Sequence, residues 1–324
     1  MSAPHVFMQR KPDESHAEIG IIVAAYNAEN TLARCIESIL AQEYSDWRAV
    51  IVDDGSVDDT YSIANSFASQ DSRIKVIRQE NAGEGGARNA ALPHLETPWI
   101  VYLDSDDAFA PDYLAEQSAF VTFNPGYDVY ACNGTMRYPD GSRALFSGHK
   151  DPVEITLPMM LSRCRIMGGG SLMRRETLVA FDGFRVECYT PDYHLWLRML
   201  ADGRRIILNP VPLYEYYVGS ASNKTSAAES SIRAAVTTIE DIIDSGRLSD
   251  VDTACAREAI EDRYLLIEKN AEHVRLLGQR ERILEIARRL LGKSGATVVA
   301  RVGHRLSRIL LPVRKRVMKR TLSS

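Results

Sequence analysis

The sequence predicts an α/β protein, a mainly parallel, doubly wound sheet with a ligand site on the carboxyl edge of its strands and a helical appendage behind it. Three observations carry this. Four short apolar runs each close on polar or acidic residues, helix-period stripes separate them, and later segments read as helical throughout. With 324 residues, 45% of them hydrophobic, the chain can bury one substantial α/β core and a smaller helical piece.

The first strand is predicted from Ile19, where Ile21-Ile22-Val23-Ala24-Ala25 closes on Tyr26-Asn27. Leu32, Cys35, Ile36, Ile39 and Leu40 then form the stripe that packs a helix on a sheet. A second strand, Trp47 to Val52, runs into Asp53-Asp54-Gly55-Ser56, and strand, helix and strand make a right-handed crossover. Ile74 to Ile77 supplies the third strand, Gly83 to Leu92 a glycine-entered helix, and Trp99 to Leu103 the fourth strand. A further helix is expected near Pro111, a strand at Leu172-Met173, and a helix whose first turn holds Pro191. Between Ser226 and Leu291 the stripes of Ile239, Ile242 and Ile243, of Ala259, Tyr264, Leu265 and Leu266, and of Ile283, Ile286, Ala287 and Leu290 read as core-packing helices.

The fourth strand ends in Asp104-Ser105-Asp106, which is the most informative feature of the chain. Two carboxylates one residue apart can share a hard divalent ion and leave the rest of its coordination sphere to water and phosphate oxygens. Alone the triplet is weak, because acidic pairs also cap helices and turns. Its context is specific: Val23-Ala24-Ala25-Tyr26-Asn27, Val52-Asp53-Asp54-Gly55-Ser56, Asn81-Ala82-Gly83 with Ala87-Arg88-Asn89, and Leu103-Asp104-Ser105-Asp106-Asp107 follow in order over some ninety residues. In that order and spacing they resemble the family 2 glycosyltransferases of the GT-A fold. Gly168-Gly169-Gly170-Ser171 and the segment from Pro191 to Arg198 resemble the family's acceptor side and its base-bearing helix start, although the family usually shows Glu-Asp where Pro191-Asp192 stands here. The resemblance spans roughly Ile19 to Tyr217.

The resemblance implies metal-assisted transfer of a sugar from a nucleoside-diphosphate donor, UDP-linked, to a hydroxyl of a saccharide or lipid-linked acceptor, with inversion. It implies a divalent cation, Mn2+ or Mg2+, on Asp106, with Asp104 either binding that cation directly or through water or holding the ribose. Asp54, or instead Asp53, would read the base, since a uracil ring offers an N–H to a carboxylate. Ala24, Tyr26 and Ser105 would line the nucleotide-sugar site, Tyr26 either stacking on the ring or plugging the edge of the core. Arg88 either pairs with a phosphate through its planar fork or forms a surface ion pair. Asp192 is the base candidate, because single displacement needs one carboxylate to take the acceptor's proton; the alternative is a first-turn acid that complements the helix dipole. Gly169, Gly170 and His194 are placed on the acceptor side.

Composition limits the alternatives. Five cysteines without a C-x-x-C pair argue against a disulfide framework and a thiolate zinc site, and point to a reducing compartment. No apolar run approaches the length of a spanning helix and the first 18 residues are polar, so the expectation is a cytoplasmic protein, peripheral at the inner face of the cell membrane. Gly83-Glu84-Gly85-Gly86 follows polar residues and lacks dinucleotide spacing, and Ala24 to Glu29 is not the glycine-rich arginine loop of a nucleotidyltransferase. A non-catalytic nucleotide-sugar-binding or scaffold protein associated with the membrane is the alternative from another class, favoured by the missing Glu and disfavoured by intact Asp104, Asp106 and Asp192.

Charge is distributed unevenly. After Glu285 there is no acidic residue and there are 11 Lys and Arg, leaving 28 basic against 43 acidic residues in the rest. Val299, Val302, Leu306, Ile309, Leu310, Val313 and Val317 recur at helical spacing beside the arginines, the pattern of a helix lying in an anionic membrane surface; packing on the catalytic domain is the alternative, and nucleic acid is disfavoured by the acidic body. The expected organisation is an N-terminal tail over 1–18, a GT-A domain over 19–225, a helical extension over 226–292 and a basic amphipathic end over 293–324.

Overall fold

The computed structural model describes residues 18–219 and 228–268. Its first half follows the predicted alternation: β1 (Ile19–Ala25), α1 (Leu32–Leu40), β2 (Trp47–Asp53), α2 (Thr60–Ala68), β3 (Ile74–Arg78), α3 (Gly83–Ala91) and β4 (Trp99–Asp104). The apolar runs become strands because both faces are covered. Ile21, Val23 and Ile51 are buried in one hydrophobic cluster, and Ile22, Val50 and Val52 in another on the opposite face. These four strands are parallel in the order β3-β2-β1-β4, with Ala24 beside Val52 on one side and Asp104 on the other. The register therefore brings the ends of β1, β2 and β4 to one edge.

Beyond β4 the sheet departs from the parallel pattern. After β5 (Ala108–Phe109) and α4 (Tyr113–Phe123) come β6 (Val129–Arg137), β7 (Arg143–Leu145), β8 (Val153–Ile155), α5 (Leu157–Ser162), β9 (Leu172–Arg174), α6 (Arg175–Ala180), α7 (Pro191–Ala201) and β10 (Ile206–Tyr217). The order continues β4-β9-β6-β10-β5, with β9 antiparallel to both neighbours, β6 and β10 parallel to each other, and β5 antiparallel to β10. The sheet is thus mainly parallel in its first half and mixed in its second. The short antiparallel β9 brings Gly168 to Gly170 up to the ends of the parallel strands, where the Gly170 N–H donates to the Tyr102 carbonyl at 3.0 Å.

After β10, α8 (Ala228–Asp244) packs on α7, and a last described helix, α9, covers residues 250–268. Ile239, Ile242, Ala256 and Ala259 are buried in the same cluster as the α7 residues Leu195 and Trp196. The chain divides into a unit ending at Glu261 and another beginning at Asp262, so α8 belongs with the sheet, whereas the sequence placed it in an extension starting at 226. Residues 1–17, and the end over 293–324 with its expected membrane helix, lie outside the described residues. Among the described residues no helix is long and apolar enough to cross a membrane.

Candidate active site

Two turns that lock into each other build the first wall. Asn27 sits in the left-handed region at φ 48°, which Asn tolerates better than most residues. Its backbone N–H donates to Ser56 Oγ at 3.0 Å, and its side-chain oxygen accepts the Val57 N–H at 3.0 Å. Gly55, at φ 80°, makes the facing turn, where a Cβ would stand 3.1 Å from the Asn81 nitrogen. The two adjacent acids then divide. Asp53 Oδ1 accepts the Ser56 N–H at 3.2 Å and its Oδ2 pairs with Arg78 at 3.0 Å, whereas Asp54 lines the cavity and accepts Gln79 Nε2 at 2.7 Å and the Ala82 N–H at 2.9 Å on Oδ1.

β4 delivers the acids. Asp104 Oδ1 accepts from Arg88 at 2.7 Å, and its Oδ2 lies 3.5 Å from the Tyr214 hydroxyl. Arg34 donates to the Asp106 carbonyl, which fixes the turn carrying that carboxylate. Asp107 is buried and accepts the Tyr214 hydroxyl at 2.7 Å and the Tyr217 N–H at 2.9 Å. Burial pushes Asp104 up to about 7, Arg88 opposing and Glu84, Asp106 and Asp192 reinforcing the rise. Asp107 is raised well above the carboxylate range by burial and by Asp104 and Asp106.

Arg88 is 1% exposed, which removes the surface ion pair from consideration. It bonds Asp104, pairs with Glu84 one turn earlier on α3, and lays its guanidinium 3.8 Å from the Tyr102 ring centre. It lies beneath the cavity and outside its lining. The next residue, Asn89, donates to the Phe184 carbonyl at 2.7 Å and accepts the Phe184 N–H at 2.8 Å. Adjacent residues of α3 thus secure the β4 carboxylate and the chain that leads into α7.

Asp192 projects from the first turn of α7, beside the glycine run. A Cβ on Gly168 would stand 2.6 Å from Asp192 Oδ2, and Cβ atoms on Gly169 and Gly170 would collide with the Tyr214 ring. The three glycines therefore let bare backbone lie against the carboxylate and the tyrosine. Burial raises the Asp192 pKa, Arg88 lowers it and Glu84 raises it. His194 is placed elsewhere: its Nε2 lies 3.3 Å from Arg185 and 3.6 Å from Asp241 of α8, and Arg185 and Asp241 pair at 2.6 Å. Burial, Arg198 and Arg185 lower it to about 4, so it is neutral at pH 7 and works in the α7–α8 contact, away from the cavity lining.

The resulting cavity holds about 550 Å³. Of the residues singled out in the sequence, Ala24, Tyr26, Asp54, Asp104, Ser105, Asp106, Gly169 and Asp192 line it, while Asp53, Arg88, Gly170 and His194 do not. Glu84, Tyr189, Tyr214 and Ser231 also line it and were not singled out. The Tyr214 signal lies in register: β10 pairs with β5, the segment that follows Asp107. Among the described residues there is no cluster of three or more ligating side chains. Asp104 and Asp106 nevertheless suit a hard cation that takes its remaining ligands from phosphate and water, and such a cation would offset the burial and the neighbouring acids that raise Asp104.

The fold and this cavity define an α/β class with its site at the carboxyl ends of the strands, and comparison with known proteins places the chain within it. The model of Glycosyl transferase family 2 matches residues 20–178. The Escherichia coli UDP-Glc:alpha-D-GlcNAc-diphosphoundecaprenol beta-1,3-glucosyltransferase WfgD is 32% identical over 192 residues, covering 59% of this chain and 73% of WfgD. The chain belongs to glycosyl transferase family 2. EpsH of Bacillus subtilis, named as a glycosyltransferase, is 34% identical over 129 residues, which is 40% of this chain and 37% of EpsH, so the chain spans little more than a third of that relative. The mannosyltransferase PcManGT of Pyrobaculum calidifontis, solved with GDP-Man and Mn2+, shares the fold at a TM-score of 0.59 and 18% identity, over 88% of this chain and 84% of that one.

Proposed function

We propose that this protein transfers a sugar from a UDP-linked donor to a hydroxyl of a saccharide or lipid-linked acceptor, by a single displacement with inversion, in the synthesis of cell-surface polysaccharide or glycolipid. The observation that carries this is the lining of one cavity by the β4 carboxylates Asp104 and Asp106 and by Asp192. WfgD, by its name, uses UDP-Glc and a diphosphoundecaprenol-linked acceptor, which supports the donor and acceptor classes. The Mn2+ reported with PcManGT supports a divalent cation.

Asp54 accepts the base N–H, a task left to it because it lines the cavity while Asp53 is fully buried outside the lining. Tyr26, 49% exposed at the rim, stands beside the ring. Asp106 and Asp104 would hold the divalent cation, whose chemistry there would be to neutralise the charge that grows on the departing diphosphate. Asp192 takes the acceptor hydroxyl's proton as that oxygen bonds the anomeric carbon and the bond to the diphosphate breaks. Its raised pKa makes it the stronger base. A basic, amphipathic end would hold the enzyme beside a membrane-bound acceptor, each Lys or Arg near an anionic surface contributing about 1 kcal/mol.

The test is UDP release from UDP-glucose and UDP-N-acetylglucosamine with Mn2+, water taking the acceptor's place. Asp192→Asn keeps the shape and loses proton acceptance, so turnover falls by about a hundredfold or more with nucleotide binding near normal. Wild-type turnover by that variant refutes the assignment.

A further inference from the structure

Two buried polar atoms under the cavity have no hydrogen-bond partner, the Tyr102 hydroxyl and Arg88 Nη1. They belong to one assembly, because the Arg88 guanidinium lies over the Tyr102 ring at 3.8 Å and Phe184 packs edge-on against the same ring at 5.4 Å. Tyr102 precedes Asp104 by two residues on β4, so both side chains rise from the same face of the sheet. A fully buried hydroxyl without a partner is costly, and one fixed by two ring contacts cannot swing away to find one. What it faces is therefore informative. The point where a Cβ on Gly168 would stand lies 4.0 Å from the Tyr102 hydroxyl and 2.6 Å from Asp192 Oδ2.

We propose that Tyr102 is a positioning residue for the transfer reaction: its hydroxyl, held in place by the stacked Arg88, donates to the Asp192 carboxylate, directly or through one water, and aims the free oxygen at the acceptor hydroxyl. The bond closes when the site fills, as catalytic hydrogen bonds commonly tighten in the complex. Bare Gly168 is what leaves the path between the two oxygens clear of a side chain. The inference rests on Asp192 being the base, and the experiment separates the two.

Turnover of UDP-glucose or UDP-N-acetylglucosamine with Mn2+ is measured for wild type, Tyr102→Phe, Asp192→Asn and the double variant. Phe keeps the ring against Arg88 and Phe184. Tyr102→Phe lowers kcat about tenfold at unchanged donor KM, and the double variant is no slower than Asp192→Asn alone, because the hydroxyl acts only through that carboxylate. An impaired Asp192→Asn beside a fully active Tyr102→Phe, or losses that multiply in the double variant, overturns the role of Tyr102 and leaves the base in place. A fully active Asp192→Asn overturns the base and this inference with it. The carboxyl titration of Asp192 with UDP and Mg2+ bound, followed by 13C NMR, reports the contact without turnover: loss of the donor moves its midpoint upward in Tyr102→Phe, and an unmoved midpoint counts against the contact.

Discussion

Replacing Arg88 by methionine removes a cation that Glu84, Asp104 and Asp192 share while keeping most of the side chain's bulk against Tyr102 and Phe184. Breaking a buried ion pair from one side costs about 3–5 kcal/mol, and because the carboxylates left behind are each close to a third exposed the loss falls at the low end, a fall in Tm of roughly 6–12 °C for a unit of this size. That loss depends on pH in a direction the site fixes. Asp104 titrates near 7 in the folded protein against an ordinary value of 3.8, so at pH 5 it is protonated in both proteins and Arg88→Met loses chiefly the Glu84 pair. At pH 8 wild-type Asp104 is ionised against Arg88, whereas in the variant it must stay charged without that partner or bind a proton. Thermal unfolding of both proteins without metal at pH 5 and pH 8 reads the difference directly. The Tm gap is expected to widen at pH 8; a gap below about 2 °C at both values, or one that widens in acid, refutes the shared counter-ion.

Asp106→Ala should abolish Mn2+-dependent UDP release with Tm nearly unchanged, because a rim carboxylate contributes little to packing; metal-dependent turnover by the variant counts against Asp106 as a ligand. Mn2+ affinity of wild type, measured by calorimetry, should fall about tenfold per pH unit below 7, since the cation must displace the Asp104 proton; a flat profile from pH 7 to 5 contradicts this. His194, held near 4 against an ordinary 6.5, contributes stability above pH 6.5 that is lost as pH falls towards 4, on the order of 3 kcal/mol. The difference in stability between wild type and His194→Gln should shrink over that window, and a constant difference removes the imidazole as its cause. A form ending at Gly292 should lose sedimentation with phosphatidylglycerol vesicles; equal binding by both forms removes the basic end from membrane attachment.

Sequence legibility followed the reach of local pattern. β1 to β4 were legible because a strand buried on both faces and closing on an acid is written in consecutive residues, and Asp104 ends β4 with Asp106 just beyond it. Of the antiparallel half only the short strand at Leu172-Met173 was legible, as β9, whereas β10 reaches its partners only through register. For the same reason Tyr214 was missed, although its hydroxyl meets Asp107 from 107 residues away. Arg88 was read as a phosphate ligand or a surface pair, yet its helix turns it inward onto Asp104, and nothing in Ala87-Arg88-Asn89 records that direction. His194 shares a helix with Asp192, but at two residues' spacing it points to another side, where α8 supplies Asp241.

The configuration of the sugar first released from UDP-glucose tests the central claim most directly, because it reports base, displacement and leaving group in one signal. Wild type with Mn2+ is mixed with UDP-glucose, an α-linked donor, and the anomeric protons are followed by 1H NMR before mutarotation mixes them. Single displacement assisted by Asp192 predicts β-glucose and UDP as the first products, with neither formed at a comparable rate by Asp192→Asn. Initial α-glucose, or pyrophosphate in place of UDP, would contradict the account.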